Sequence, residues 1–238
     1  MLSKSQIKLI TRLKQKKYRQ QDGLFVVEGV KAITELLQSN LKLNKLYTTV
    51  SFNIDAKDEV FISETDLKRI SFLTTPNKAL AIFEIPQAKP IGNSGLIIAL
   101  DAIRDPGNLG TIIRLCDWFG VQELICSKET VDCYNPKVIQ ATMGSITRVN
   151  INYIDLALFL KSSKLNVFGA FMEGSNVYNI ELPKNGILVM GNEANGVSKE
   201  VEEIISQKIS IPRFGNLQST ESLNVATATA ILLSEFRR

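Results

Sequence analysis

Read as a pattern of apolar and polar positions, the chain alternates short apolar runs with segments of helical period along most of its length. In the first third, residues 24–27, 45–50, 60–62 and 80–85 read as strands, and 30–38 and 66–73 as helices. The second part opens with Leu96–Leu100, a continuous apolar run of the kind buried on both faces of a parallel sheet. Further strands are predicted at 123–126, 167–171, 187–190 and 208–211, and helices at 107–119, 135–143, 155–161, 198–206 and 222–236. This alternation predicts an α/β chain whose C-terminal parallel sheet carries helices on both faces.

Between the two parts lies IPQAKPIGNSG, where Pro86, Pro90, Gly92 and Gly95 interrupt any regular element. A boundary is expected there, with a small α/β domain over 1–85, a linker over 86–95 and a larger domain over 96–238. The longest apolar runs, 96–100 among them, fall far short of the roughly 20 residues a membrane helix needs, so no membrane span is expected. The opening residues hold no apolar signal core, which points to a cytoplasmic protein.

Charge changes the picture at one end only. The 238 residues carry 28 Lys+Arg against 24 Asp+Glu, a formal +4. Residues 1–20 alone hold seven basic groups (Lys4, Lys8, Arg12, Lys14, Lys16, Lys17, Arg19) and no acidic one, leaving the rest of the chain at −3. Ile7, Ile10, Leu13 and, more loosely, Leu2 recur near helical spacing in this segment. Two readings stay open: a solvated, partly frayed terminus, or an amphipathic helix whose basic face contacts the phosphates of a polyanion, with Lys14, Lys16, Lys17 and Arg19 as the contacting residues.

Composition removes several chemistries. There is no histidine, so Ser-His-Asp, Cys-His and HExxH sites are excluded. Three cysteines without a CxxC pair make neither a disulfide framework nor a zinc clip, and no metal is expected. No GxxxxGK[ST] loop, GxSxG elbow or strand-borne GxGxxG is present, which disfavours ATPase, α/β-hydrolase and ordinary dinucleotide-binding readings.

Ligands of parallel sheets bind beyond the carboxyl ends of strands, so three loops carry the interest. After 96–100 comes Asp101-Ala102-Ile103-Arg104-Asp105-Pro106-Gly107-Asn108, in which Asp105 suits an N-cap and Pro106 the first helical position. In the helix that follows, Leu109, Ile112, Ile113 and Cys116 form one apolar stripe and Arg114 falls off it. By spacing alone Arg114 is a surface residue, Asn108 a turn residue and Cys116 a core residue. The second loop, Gly191-Asn192-Glu193-Ala194-Asn195-Gly196, lets a ligand approach the backbone but is also an ordinary glycine-bounded turn. The third runs from Ile211-Pro212-Arg213-Phe214-Gly215 to Ser222-Leu223-Asn224 and leads into a helix rich in small residues.

Taken in order, LDAIRDPGNLGTIIRLCDWFG, ILVMGNEANGVS and ISIPRFG…SLNVATATAILLSE resemble the three signature motifs of the SpoU/TrmH family of RNA ribose 2′-O-methyltransferases. YNPKVIQATMGSI is similar to the family's middle segment, and GLFVVEGVKAITELL to the small RNA-binding substrate domain that many members carry. The resemblance implies a deep trefoil knot in the C-terminal domain, a homodimer, S-adenosylmethionine as cofactor, and RNA, most of all large-subunit ribosomal RNA, as substrate. A tRNA methyltransferase of the same family and a non-catalytic ribosome-associated RNA-binding protein are the alternatives. It also implies that Met190, Gly191, Ile211 and Leu223 contact the cofactor and that Arg114, Asn108, Glu193, Ser222 and Asn224 form the active site, with Arg114 next to the ribose hydroxyl as base or electrostatic clamp. The stretch 215–221, GNLQSTE, is longer than in near relatives, and Phe214 stands where a smaller residue is expected.

Overall fold

A computed structural model describes residues 2–215 and 222–238. The chain forms two compact units. One runs to Gln87 and also takes in Asp132–Thr147; the other comprises Ala88–Val131 and Arg148–Arg238.

The first unit begins with helices α1 (Lys4–Arg12) and α2 (Lys16–Asp22). Ser3 and Gln6 close a capping box over the start of α1: the Gln6 backbone N–H donates to Ser3 Oγ at 3.2 Å, and the Ser3 N–H to Gln6 Oε1 at 2.8 Å. The apolar stripe of the basic segment is buried, with Leu2, Ile10 and Leu13 in one cluster with Val26, Leu67 and Ile82. Residues 2–20 are therefore a built part of this unit, and the charge of their lysines faces outward: Lys4, Lys8, Lys14, Lys16 and Lys17 are exposed.

Arg19 departs from that pattern and corrects the expectation that it contacts phosphate. It is 2% exposed. Its Nε donates to Asp132 Oδ2 at 3.0 Å, and Nη1 donates to the carbonyls of Leu13 and Lys14, both at 2.9 Å. A guanidinium buried this deeply has to be paired, and its donors are spent inside the unit.

Strands β1 (Leu24–Glu28), β2 (Leu43–Thr48), β3 (Glu59–Phe61) and β4 (Ala79–Glu84) form a sheet in the order β1-β4-β2-β3. Helix α3 (Val30–Leu37) follows β1, and α4 (Glu64–Ile70), capped by Ser63, follows β3. Asp132–Thr147 was expected in the second domain but belongs to this unit, because the Asp132 carboxylate meets Arg19 and the Tyr134 ring packs on Phe25 with centroids 4.8 Å apart.

The second unit is built on β5 (Leu96–Leu100), α5 (Pro106–Trp118) and β6 (Glu123–Ser127). The chain then passes through the first unit as α6 (Pro136–Thr142) and returns as β7 (Asn150–Ile154), α7 (Leu156–Ser162), β8 (Val167–Asn176), β9 (Gly186–Met190), α8 (Lys199–Glu202), β10 (Gln207–Ser210) and α9 (Val225–Arg237). Its six strands pair entirely in parallel, in the order β10-β8-β9-β5-β6-β7. The predicted α/β class and parallel sheet are therefore present. All carboxyl ends emerge along one edge, and β5 and β9 are neighbours, so the first two loops of interest start side by side. Among the described residues no helix is long and apolar enough to cross a membrane.

Removing one partner of a buried ion pair strands the other charge, so Asp132→Ala should lower unfolding free energy in urea by about 3 kcal/mol. Lys16→Ala, on the exposed face, should stay within about 0.5 kcal/mol of the parent. Equal effects would contradict the structural role given to Arg19.

Candidate functional site

Helix α5 starts as its residues require. Asp105 Oδ1 accepts the Asn108 backbone N–H at 2.8 Å, and Pro106 occupies the first turn, where its missing N–H costs nothing. Leu109, Ile112, Ile113 and Cys116 face the core. Burial, with the Asp117 charge adding to it, pushes the Cys116 thiol up to about 12, so at neutral pH it is a protonated core group and no nucleophile. Arg114 is exposed, and four residues further along the helix Trp118 is 85% exposed.

The loop after β9 is held by Asn192, a residue with no role assigned from the sequence. Its Nδ2 donates to the Ala102 carbonyl at 2.6 Å, tying this loop to the one after β5. Its Oδ1 accepts the backbone N–H groups of Ala194 at 2.9 Å and Asn195 at 3.2 Å. Asp101 adds a second tie, accepting the Ser198 N–H at 2.8 Å. A Cβ on Gly191 would lie 2.4 Å from the Gly196 carbonyl carbon, so only glycine lets the two arms of the loop close on each other. Gly196 itself has φ +67°, in the left-handed region.

The third loop meets the other two through side chains. Asn224 caps α9, its Oδ1 accepting from the backbone of Ala226 at 3.0 Å and Thr227 at 3.2 Å. Its Nδ2 donates to Asn108 Oδ1 at 2.9 Å, and Asn108 Nδ2 donates to Glu193 Oε1 at 2.6 Å. Three residues expected at the active site thus form one chain of hydrogen bonds, Asn224 to Asn108 to Glu193. Their order also sets the amide orientations: with Asn224 Oδ1 held by backbone donors, its nitrogen must face Asn108 Oδ1, and the Asn108 nitrogen must face the carboxylate.

Beside this chain opens a cavity of about 1080 Å³. Its walls include Met190, Gly191, Ile211 and Leu223, the four positions expected to contact a cofactor, together with Glu193 and Ser222. Asn108 and Asn224 are not on its wall, and neither is Arg114. Among the described residues no side chain hydrogen-bonds Arg114, so within one copy of the chain it is not brought to the other site residues. The cavity also has a wall that the sequence did not reveal: Phe171, Met172 and Glu173 of β8, and Lys208 of β10, whose Nζ lies 4.7 Å from the Phe171 ring centroid and pairs with Glu202. Of the long stretch 215–221, Gly215 lines the cavity and residues 216–221 lie outside the described residues.

Residues 95–234 match the family model described as the SpoU rRNA Methylase family, and residues 4–81 match one described as an MRM3-like substrate binding domain. Over 239 residues the chain is 29% identical to the 23S rRNA (guanosine(2553)-2′-O)-methyltransferase RlmP of Bacillus subtilis (strain 168), covering 95% of this chain and 93% of that protein. Among solved structures, a TrmH-family protein from Porphyromonas gingivalis is similar with 39% identity and a TM-score of 0.90, covering 100% of this chain and 98% of that one. An AdoMet-bound rRNA methyltransferase from Sinorhizobium meliloti is similar with 30% identity and a TM-score of 0.89, covering 100% and 96%. The ordered motifs after β5, β9 and β10, their junction through Asn108, and a family match over more than half of the residues lead to one conclusion: the chain belongs to the SpoU rRNA methylase family.

Proposed function

We propose that this protein transfers the methyl group of S-adenosylmethionine to a ribose 2′-hydroxyl of RNA, with large-subunit ribosomal RNA as the substrate class. The observation that carries this reading is the Asn224–Asn108–Glu193 chain, whose Glu193 end lines a cavity of about 1080 Å³. The residues present fit the cofactor. Met190, Ile211 and Leu223 offer apolar surface and Gly191 exposes backbone, while the wall's carboxylates Glu173, Glu193 and Glu202 stand beside Lys208 and Arg213, with Glu202 paired to Lys208. When bound, S-adenosylmethionine supplies an electrophilic methyl group with a good leaving group already attached.

The chain's own residues then have to orient the ribose and receive a proton. With no histidine in either copy of a dimer, the groups available are carboxylate, arginine, RNA phosphate and water. Glu193 uses Oε1 to accept from Asn108, which leaves Oε2 for the ribose hydroxyl. Arg114 serves as a clamp on the substrate phosphate and the developing alkoxide; as a base it would first have to hand its own proton to a phosphate, because a guanidinium stays protonated. Ser222, on the cavity wall, holds the third loop against the substrate.

The wider reading has four further parts. The C-terminal unit is a deep trefoil knot, supported by a strand order in which the chain leaves β9, inside the sheet, and passes β8 to make β10 at the edge. The protein is a homodimer, supported by Trp118 standing 85% exposed on the helix that carries Arg114. The first unit binds RNA through Lys14, Lys16 and Lys17, all exposed. The protein works in the cytoplasm.

Mapping 2′-O-methyl sites in ribosomal RNA from cells with and without the gene tests the substrate: one site should vanish. Loss of a tRNA mark instead would move the reading to the tRNA enzymes, and unchanged maps would overturn it. In vitro, Glu193→Gln and Arg114→Ala should keep cofactor binding in calorimetry while methyl transfer falls at least about 10²-fold; near-normal turnover would contradict their roles. Replacing Lys14, Lys16 and Lys17 together by Ala should lower the slope of log affinity against log salt by about 2 for single-stranded RNA. An unchanged slope would remove the basic face from the interface.

A further inference from the structure

Exposed apolar side chains stand on the cavity wall and next to wall residues in the chain. Met172 and Leu223 line it and are 48% and 47% exposed. Phe214 is 84% exposed, and its chain neighbours Arg213 and Gly215 both line the cavity. An aromatic ring left in water at this position is unfavourable on its own, and among the described residues of its unit nothing covers it.

The occupant follows from the reaction. This step rests on the proposed function, in which a ribose hydroxyl enters the cavity; the base attached to that ribose, or the next one along the strand, must then lie at the rim. Unpaired RNA bases are held by stacking on aromatic faces and on guanidinium planes, and Arg213-Phe214 presents both residue types in succession. We propose that Phe214 is a stacking platform for a nucleobase of the substrate RNA at or next to the target ribose. Phenylalanine has no hydrogen-bonding group, so the contact positions the nucleotide without reading which base it carries. Phe214 acts on the substrate and not on the cofactor, which separates it from Gly191 and Leu223.

Phe214→Ala and Phe214→Leu should raise KM for RNA by roughly tenfold, while the Kd for S-adenosylmethionine in calorimetry stays unchanged and Phe214→Tyr restores the parent value. A second readout needs no turnover. Trp118 is the only tryptophan; in a Trp118→Phe background, Phe214→Trp should show indole fluorescence that is quenched on adding RNA oligonucleotide. The quenching should be of similar size for strands that differ in base at the target position. Leucine performing as well as phenylalanine, absence of quenching, or a change in oligomeric state on sedimentation of Phe214→Ala would each overturn the proposal, the last by assigning the ring to a contact between copies. Failure of the parent protein to methylate any RNA would strike the functional reading, whereas normal methylation that ignores Phe214 strikes this inference alone.

Discussion

Two side-chain amides hold the site together. Asn108 and Asn224 each use both ends of their amide, and between them they join the start of α5, the start of α9 and the loop after β9. The direction of the chain matters as much as its existence. Backbone N–H groups at the first turn of α9 fix the Asn224 oxygen, each following amide passes its orientation on, and the chain ends as a 2.6 Å hydrogen bond to the Glu193 carboxylate. Hydrogen bonds in such a series polarise one another, and the last one is charge-assisted. A carboxylate that would otherwise swing freely on an exposed loop is thereby held in one rotamer. Position, in this family of reactions, is most of what a protein can contribute.

The closure of the loops depends on contacts that leave no room for variation. Gly191 is needed because the Gly196 carbonyl carbon stands where its Cβ would be, and Asn192 and Asp101 tie the loop after β9 to the one after β5. Parallel pairing of β5 with β9 starts both loops at neighbouring points, so short ties suffice. The third loop has no such neighbour, as β10 lies at the sheet edge beyond β8, and it is the amide chain that brings it in.

Much of this architecture was legible in the residues. Leu96–Leu100 was predicted to the residue, because a strand buried on both faces is an unbroken apolar run. Elements on the periphery were harder. Asn150–Ile154 alternates asparagine with apolar residues at the sheet edge, and asparagine is a poor strand former, so β7 was missed. The far half of β8, with Glu173, Gly174 and Ser175, has the composition of a loop, yet Gly174 lets it run against Lys208 so closely that a Cβ would lie 2.8 Å from the backbone there. Helix α9 was predicted from 222 but begins after its cap Asn224, which leaves Ser222 and Leu223 free of helical geometry to line the cavity. Within the site, motif order identified Asn108, Glu193 and Asn224, but their mutual contact spans 85 and 116 residues of sequence and carries no local signal. Arg19 shows the opposite limit: a basic residue in a basic run looks like its neighbours until Asp132, 113 residues away, takes it into the interior.

Asn108 and Glu193 act as one unit in this site. A double-mutant cycle on the rate of methyl transfer to RNA, built from Asn108→Ala, Glu193→Ala and the pair, measures that directly. The expected result is strong non-additivity, with the double variant scarcely slower than the worse single one and a coupling of about 1–3 kcal/mol. Effects that add within about 0.3 kcal/mol would mean the two residues act independently, and the hydrogen-bonded chain would lose its place as the organiser of the site.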